Sequence, residues 1–204
     1  MIVLGLTGSI GMGKSSAARA LRRMGVPVHD SDAMVHRLLG PGGAGVGGIE
    51  AAFPSTVRDG AVDRAALGRI VFADPAALRR LERILHPLVG ASARRFLRRH
   101  RAAGTPVVAL DVPLLLETGG EKRCDFVIVV SAPAFLQRQR VLGRQGMTEA
   151  RLAGILRQQM PDSQKRRRAD AVVLTGLGKD HTTRQIARAL ARARAAGPRR
   201  GRRE

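Results

Sequence analysis

GLTGSIGMGKS, residues 5–15, follows the apolar start Ile2, Val3 and Leu4 and leads into SSAARALRRM, residues 15–24. Gly8 to Ser15 satisfy the pattern G-x-x-x-x-G-K-[ST] at every specified position. With average residue frequencies, a chance match in a chain of this length is on the order of one per cent. A strand before the pattern and a helix after it are the setting that gives it physical meaning. The glycines let the backbone turn its N–H groups inward, and the start of the following helix adds positive potential, so the segment is built to cradle phosphate. In such a loop Lys14 reaches the outer phosphates and the Ser15 hydroxyl can ligate Mg²⁺. The plainer alternative is a glycine-rich turn with an exposed lysine. Motors, switch proteins and kinases all use this loop, so an acceptor must be sought elsewhere in the chain.

Beyond this segment, apolar runs recur at Ile2 to Leu6, Val107 to Leu110, Phe126 to Val130 and Ala171 to Leu174, with a shorter one at Val26 to His29. None alternates polar with apolar, the pattern of parallel strands covered on both faces. Helical periodicity lies between them, which predicts an α/β fold with a doubly wound parallel sheet. From about residue 33 to 104 the alternation lapses. Gly40 to Gly48 reads as a flexible loop, followed by a long helical region. Asp74 and Pro75 are an N-cap and first helical residue before the stripe Leu78, Leu81, Ile84 and Leu85. Pro87 is expected to interrupt that helix at His86. An arginine-rich region, residues 133–168, predicts two or three helices with a break at Gly143 to Met147.

The 204 residues fit one α/β domain with insertions. A hydrophobic share of 44% and a charged share of 25% exclude global disorder. The net charge of +20 invites a polyanionic partner, and part of it is the seven Arg and one acid between Arg188 and Glu204. With 2% aromatic residues and no Trp or Tyr, stacking platforms for single strands are nearly absent. No specific nucleic-acid partner is expected. The single cysteine, Cys124, precedes an apolar run and reads as a buried structural thiol in a reducing compartment. No run is long enough to span a membrane and no leader precedes the first strand, so a cytoplasmic protein is expected.

Asp30 and Asp32 follow the second apolar run in VPVHDSD. A right-handed βαβ unit places the ends of its strands on one edge of the sheet, where a base for an attacking hydroxyl belongs. Equally, Ser31 or Asp32 could only cap the next helix.

GLTGSIGMGKS, VHDSDAMVHRLL, LERILHPLV, ALDVPLLLETGGEKRCDFVIVV and LRQQM occur in this order. Together they resemble the dephospho-coenzyme A kinases over roughly residues 1 to 190, and DVPLLLE with an upstream His-Pro is the more telling part. The resemblance implies a P-loop NTPase fold with a helical acceptor-binding insertion at about 33–104 and a lid at about 133–168, in a domain of residues 1–195 followed by a basic tail of 196–204. It implies an ATP-dependent phosphorylation of the ribose 3′-hydroxyl of dephospho-coenzyme A, with ATP and Mg²⁺ as cofactors. Gly11, Met12, Gly13, Lys14, Ser15 and Ser16 would then hold the ATP phosphates, with Mg²⁺ on Ser15. Asp32 would be the base, and His86 and Asp111 would lie along the acceptor cleft. Arg138, Arg140 and Arg144 would belong to the lid, with Arg144, at the glycine-flanked break, the choice for catalysis. Taken alone, His86 could be a packed histidine and Asp111 a turn cap. The arginine-rich tail beyond about Ala195 lies outside the resemblance and is given no catalytic role, and a monomer is expected. Rival readings are another small-molecule kinase of nucleotide or sugar type, and a nucleic-acid-stimulated NTPase.

Overall fold

The computed structural model describes residues 1–199. These form two compact units, Met1–His29 with the chain from His100 onward, and Asp30–Arg99. The elements in chain order begin with β1 (Ile2–Thr7), α1 (Lys14–Arg23), β2 (Val28–Asp30), α2 (Ser31–Leu39) and α3 (Val46–Ala52). Next come β3 (Val57–Arg58), β4 (Ala61–Val62), α4 (Arg64–Ala73), α5 (Pro75–Ala102) and β5 (Val107–Asp111). The chain continues through β6 (Phe126–Ser131), α6 (Ala134–Leu142), α7 (Glu149–Gln158), α8 (Asp162–Arg167), β7 (Ala171–Leu174) and α9 (Lys179–Ala196).

The first unit is built on one sheet of order β2-β5-β1-β6-β7. β1 pairs in parallel with β5 and with β6, and β6 in parallel with β7. Every residue of β1, β5 and β6 is buried, which is why these runs do not alternate. Leu4, Leu6 and Ile128 join Ala17 and Leu21 of α1 and Ile186 and Leu190 of α9 in one core. Cys124 is fully buried, as its apolar neighbours predict. Two aspartates extend the ladders. Asp125 accepts from the Val3 N–H at 2.7 Å, and Asp170 accepts from the Val127 N–H at 2.8 Å.

The structure moves several expected boundaries. The second strand begins at Val28 rather than Val26, because the Val26 N–H is spent on the Leu21 carbonyl at the end of α1 and Pro27 has none to give. The loop expected to reach Gly48 ends sooner, since Val46, Gly47 and Gly48 already belong to α3. Asp74 caps α5 as expected, accepting from the Ala76 N–H at 2.7 Å. That helix then runs unbroken through Pro87 for 28 residues. His86 and Pro87 sit on its exposed side, where solvent can satisfy the carbonyl a proline leaves unpaired. On the opposite side Leu81, Ile84, Leu85, Leu88 and Val89 pack on the second unit's core of Leu38, Ile49, Phe53, Leu67 and Val71. Burial on both sides of the proline outweighs one lost hydrogen bond.

The second unit also contains an antiparallel hairpin, β3–β4, inside the stretch expected to be helical. Its turn is Asp59-Gly60, both at positive φ (50° and 71°), the two-residue geometry that Asp-Gly favours. At the other end of the chain Ala196 closes α9, one residue into the expected tail. The Arg199 N–H donates to Asp125 at 2.9 Å, and its guanidinium pairs with Asp170 at 2.6 Å. The remainder of the expected tail, residues 200–204, lies outside the described residues.

Candidate active site

The phosphate loop connects the end of β1 to α1. Gly13 is the N-cap of α1 at φ 89°, a conformation open to glycine, and a side chain there would meet Thr175 Oγ1 at 2.7 Å. No side chain caps α1 and no acid occupies its first turn, so its positive end is left for an anion. The loop is tied from behind. Thr175 Oγ1 donates to the Met12 carbonyl at 2.7 Å, Arg140 to the Gly11 carbonyl at 3.3 Å, and Gln137 Nε2 to the Ile10 carbonyl at 2.8 Å. Gln159 Oε1 accepts from the Ile10 N–H at 3.0 Å. With these carbonyls engaged and the Met12 N–H donated to the Ser9 carbonyl at 3.1 Å, the amides of Gly11 and Gly13 are those of the turn suited to meet an anion.

Lys14 Nζ lies 2.6 Å from Asp111 Oδ1, with the carboxylate 2% exposed and the lysine 15%. Parallel pairing of β1 with β5, in which Leu6 sits opposite Asp111, brings the two strand ends together. A phosphate entering the loop offers Lys14 a second, more highly charged partner a short swing away. The loop floors a cavity of about 530 Å³ that Gly11, Gly13, Ser15, Arg140, Arg144 and Thr175 help to line. Lys179 adds a third cation and, among the described residues, no acid lines it, so the cavity suits an anionic ligand of nucleotide size.

Of the three arginines expected in the lid, two are gathered here. Arg140 is fixed by Thr175, donating to its Oγ1 at 3.1 Å and its carbonyl at 2.8 Å. Arg144 lines the cavity from the turn after α6. Arg138 points elsewhere and forms an exposed ion pair with Glu149. The expected helical region 133–168 is three helices, and its break falls between α6 and α7.

The remaining expected residues lie in the second unit. Asp30 accepts from the Ala33 N–H at 2.9 Å and is the N-cap of α2, so neither Ser31 nor Asp32 does the capping. Asp32 is exposed in the first turn of that helix. His86 is exposed midway along α5.

A buried lysine escaped the sequence reading altogether. Lys165 of α8 is 0% exposed, donates to Glu117 Oε1 at 2.8 Å and reaches the Pro113 carbonyl at 3.3 Å. Glu117 also accepts from the Met160 N–H at 2.9 Å. Thr7 Oγ1 holds the Pro113 carbonyl at 2.9 Å as well. DVPLLLE is therefore a bracket between the end of β1 and the segment joining α7 to α8. No local sequence signal marks Lys165, Thr175 or Gln137, although Gln159 lies in LRQQM.

For a metal the protein offers few ligands, since no three of His, Cys, Asp or Glu gather among the described residues. Ser15 contributes a hydroxyl to the cavity wall. One hard oxygen beside a phosphate-binding turn fits Mg²⁺, which keeps several waters and takes further oxygens from phosphates.

A strand, a glycine-rich turn bearing Lys14 and Ser15, and a cationic cavity define a P-loop nucleotide-binding class of protein. The family model described as Dephospho-CoA kinase matches residues 2–178. A dephospho-CoA kinase of Paramagnetospirillum magneticum is 66% identical over 166 residues, covering 81% of this chain and 78% of that one. One from Rhodospirillum rubrum is 57% identical over 204 residues, 99% of this chain and 96% of that one. A crystal structure from Thermus thermophilus superposes with a TM-score of 0.80 at 36% identity, covering 94% of this chain and 96% of that one. The chain belongs to the dephospho-CoA kinase family.

Proposed function

We propose that this enzyme transfers the γ-phosphoryl group of ATP to the ribose 3′-hydroxyl of dephospho-coenzyme A, giving coenzyme A and ADP. The observation that carries the nucleotide half is the acid-free cationic cavity floored by the phosphate loop. ATP phosphates lie against the amides from Gly11 to Ser16, and Lys14 exchanges Asp111 for the outer phosphates. Asp32 orients the acceptor hydroxyl and takes its proton as oxygen bonds to phosphorus. The bond from phosphorus to the ADP oxygen breaks, and Lys14 and Arg144 stabilise the charge on the transferring group and on that oxygen. Arg140, already fixed on Thr175, adds a third cation. His86 and Asp111 line the acceptor's path. Mg²⁺, held by Ser15, would supply neutralising charge between the phosphates. Asp32 as base is supported by its exposure and by Asp30 having taken over the cap. We place this chemistry in the cytoplasm, where a lone buried thiol such as Cys124 stays reduced. Among the described residues no helix is long and apolar enough to cross a membrane.

The test is a coupled ADP-release assay across dephospho-coenzyme A, nucleoside monophosphates and small sugars, with and without Mg²⁺. Dephospho-coenzyme A should give by far the largest kcat/KM, and mass analysis should show one added phosphoryl group at the 3′ position. A preference for another acceptor would overturn the substrate assignment. Stimulation by RNA or DNA alone, with no acceptor phosphorylated, would favour the nucleic-acid alternative.

A further inference from the structure

The peptide groups of Ile10 are gripped from both sides by two glutamines remote from each other in sequence. Gln137 Nε2 donates to the Ile10 carbonyl at 2.8 Å, and Gln159 Oε1 accepts from the Ile10 N–H at 3.0 Å. Gln137 sits in the first turn of α6 and is 8% exposed. Gln159 is the residue that ends α7. The two therefore stand at opposite ends of the α6–α7 segment that carries Arg140 and Arg144. The same helix presses on the next residue of the loop. A side chain on Gly11 would meet Val141 at 2.6 Å and the Gln137 carbonyl at 3.0 Å. Backbone partners fix the amide orientations: a carbonyl needs a donor at 137, and an N–H needs an acceptor at 159.

We propose that Gln137 and Gln159 are positioning residues that lock the phosphate loop in its nucleotide-accepting shape and set its register against the arginine-bearing segment. This rests on the ATP-dependent reading above. Neither glutamine is among the residues lining the cavity floored by the loop. They act through the Ile10 peptide, which precedes the two left-handed glycines, Gly11 (φ 76°) and Gly13 (φ 89°). A turn of that kind has many conformations when its flanks are free. Losing a grip leaves the competent one only fractionally populated, and apparent affinity falls by that fraction.

The opposite polarity of the two bonds supplies the test. Glutamate is acceptor-only at neutral pH, so Gln159→Glu keeps its bond while Gln137→Glu sets a carboxylate against a carbonyl. Each substitution adds the same charge beside the same peptide, so long-range repulsion of ATP is common to both, and the contrast isolates the local bond. ATP affinity is measured by calorimetry without acceptor. Gln137→Glu should bind about tenfold more weakly than Gln159→Glu, while Gln137→Met and Gln159→Met should each lose about 5- to 10-fold against the parent. KM for dephospho-coenzyme A should stay within about twofold in the Met variants, a split that general loosening of the fold would not give. Equal ATP affinity in the two Glu variants, or parent-like affinity in both Met variants, overturns the proposal. If Gln137→Glu does not fold, Gln137→Met against the parent decides at that position, with parity overturning it. If the parent binds ATP but phosphorylates another acceptor, the substrate assignment fails and the glutamine proposal is still judged by this contrast.

Discussion

Replacing Lys165 with methionine is the substitution whose cost the structure states most clearly. The side chain is wholly buried, and its ammonium is balanced by Glu117, itself 16% exposed. Methionine fills similar volume without the charge, so little cavity is created and the loss is electrostatic. Removing one partner of a buried pair typically costs about 3–5 kcal/mol, because the other charge stays behind. Two features argue for the lower end here. Glu117 keeps the Met160 N–H as a donor to its Oε1, and Pro113 keeps the Thr7 hydroxyl. A loss of about 3 kcal/mol is expected, equivalent to roughly 6–12 °C in Tm for a protein of this size. Denaturant titration of the parent, Lys165→Met, Glu117→Gln and the double variant closes the cycle. The double variant should recover about 2 kcal/mol against the sum of the singles, since the introduced amide can still accept from the Met160 N–H without a stranded charge. A single-variant loss below about 1 kcal/mol, or strict additivity in the cycle, would refute the reasoning.

Lys14→Ala should still fold but with a lowered Tm, because the buried Asp111 carboxylate loses this ammonium, and it should lose phosphoryl transfer by about 10²–10³-fold, the value of one positioned cation at a developing charge; near-parental turnover would remove Lys14 from the mechanism. Asp32→Asn should lower turnover with dephospho-coenzyme A by about 10²–10⁴-fold while ATP affinity by calorimetry holds, and full retained turnover would exclude Asp32 as the base. Because Asp30 is the helix cap, Asp32→Asn should lose only the first-turn charge, about 0.3–1 kcal/mol, and still fold, whereas Asp30→Ala should cost about 1 kcal/mol through the lost cap. Deleting residues 198–204 should leave kcat intact but lower Tm by about 2–4 °C, since Asp125 loses the Arg199 N–H, and an unshifted melting curve would show that contact to be without weight.

Features whose physics is contained within a few residues were legible in the chain before it folded. The phosphate loop is one, because left-handed glycines, an uncapped helix start, a lysine and a hydroxyl need no distant partner to be recognised. The fully apolar strands are another, since burial on both faces writes itself into the run. The hairpin at Asp59-Gly60 was written there too, in a dipeptide that a helical expectation passed over. What depends on sheet order and on which surfaces meet was settled by folding alone. Lys14 finds Asp111 across 97 positions because β5 is inserted beside β1. Thr175 reaches Met12 across 163 positions, and Gln159 reaches Ile10 across 149. Pro87 stays inside α5 because apolar packing on either side of it outweighs the local preference against helix. Lys165 reads as one more surface cation in an arginine-rich run, and becomes a buried charge only because Glu117 folds in against it. A local preference is worth a fraction of a kcal/mol per residue, whereas burial and charge pairing are worth several. Where the two conflict, tertiary packing prevails, and no window of sequence contains it.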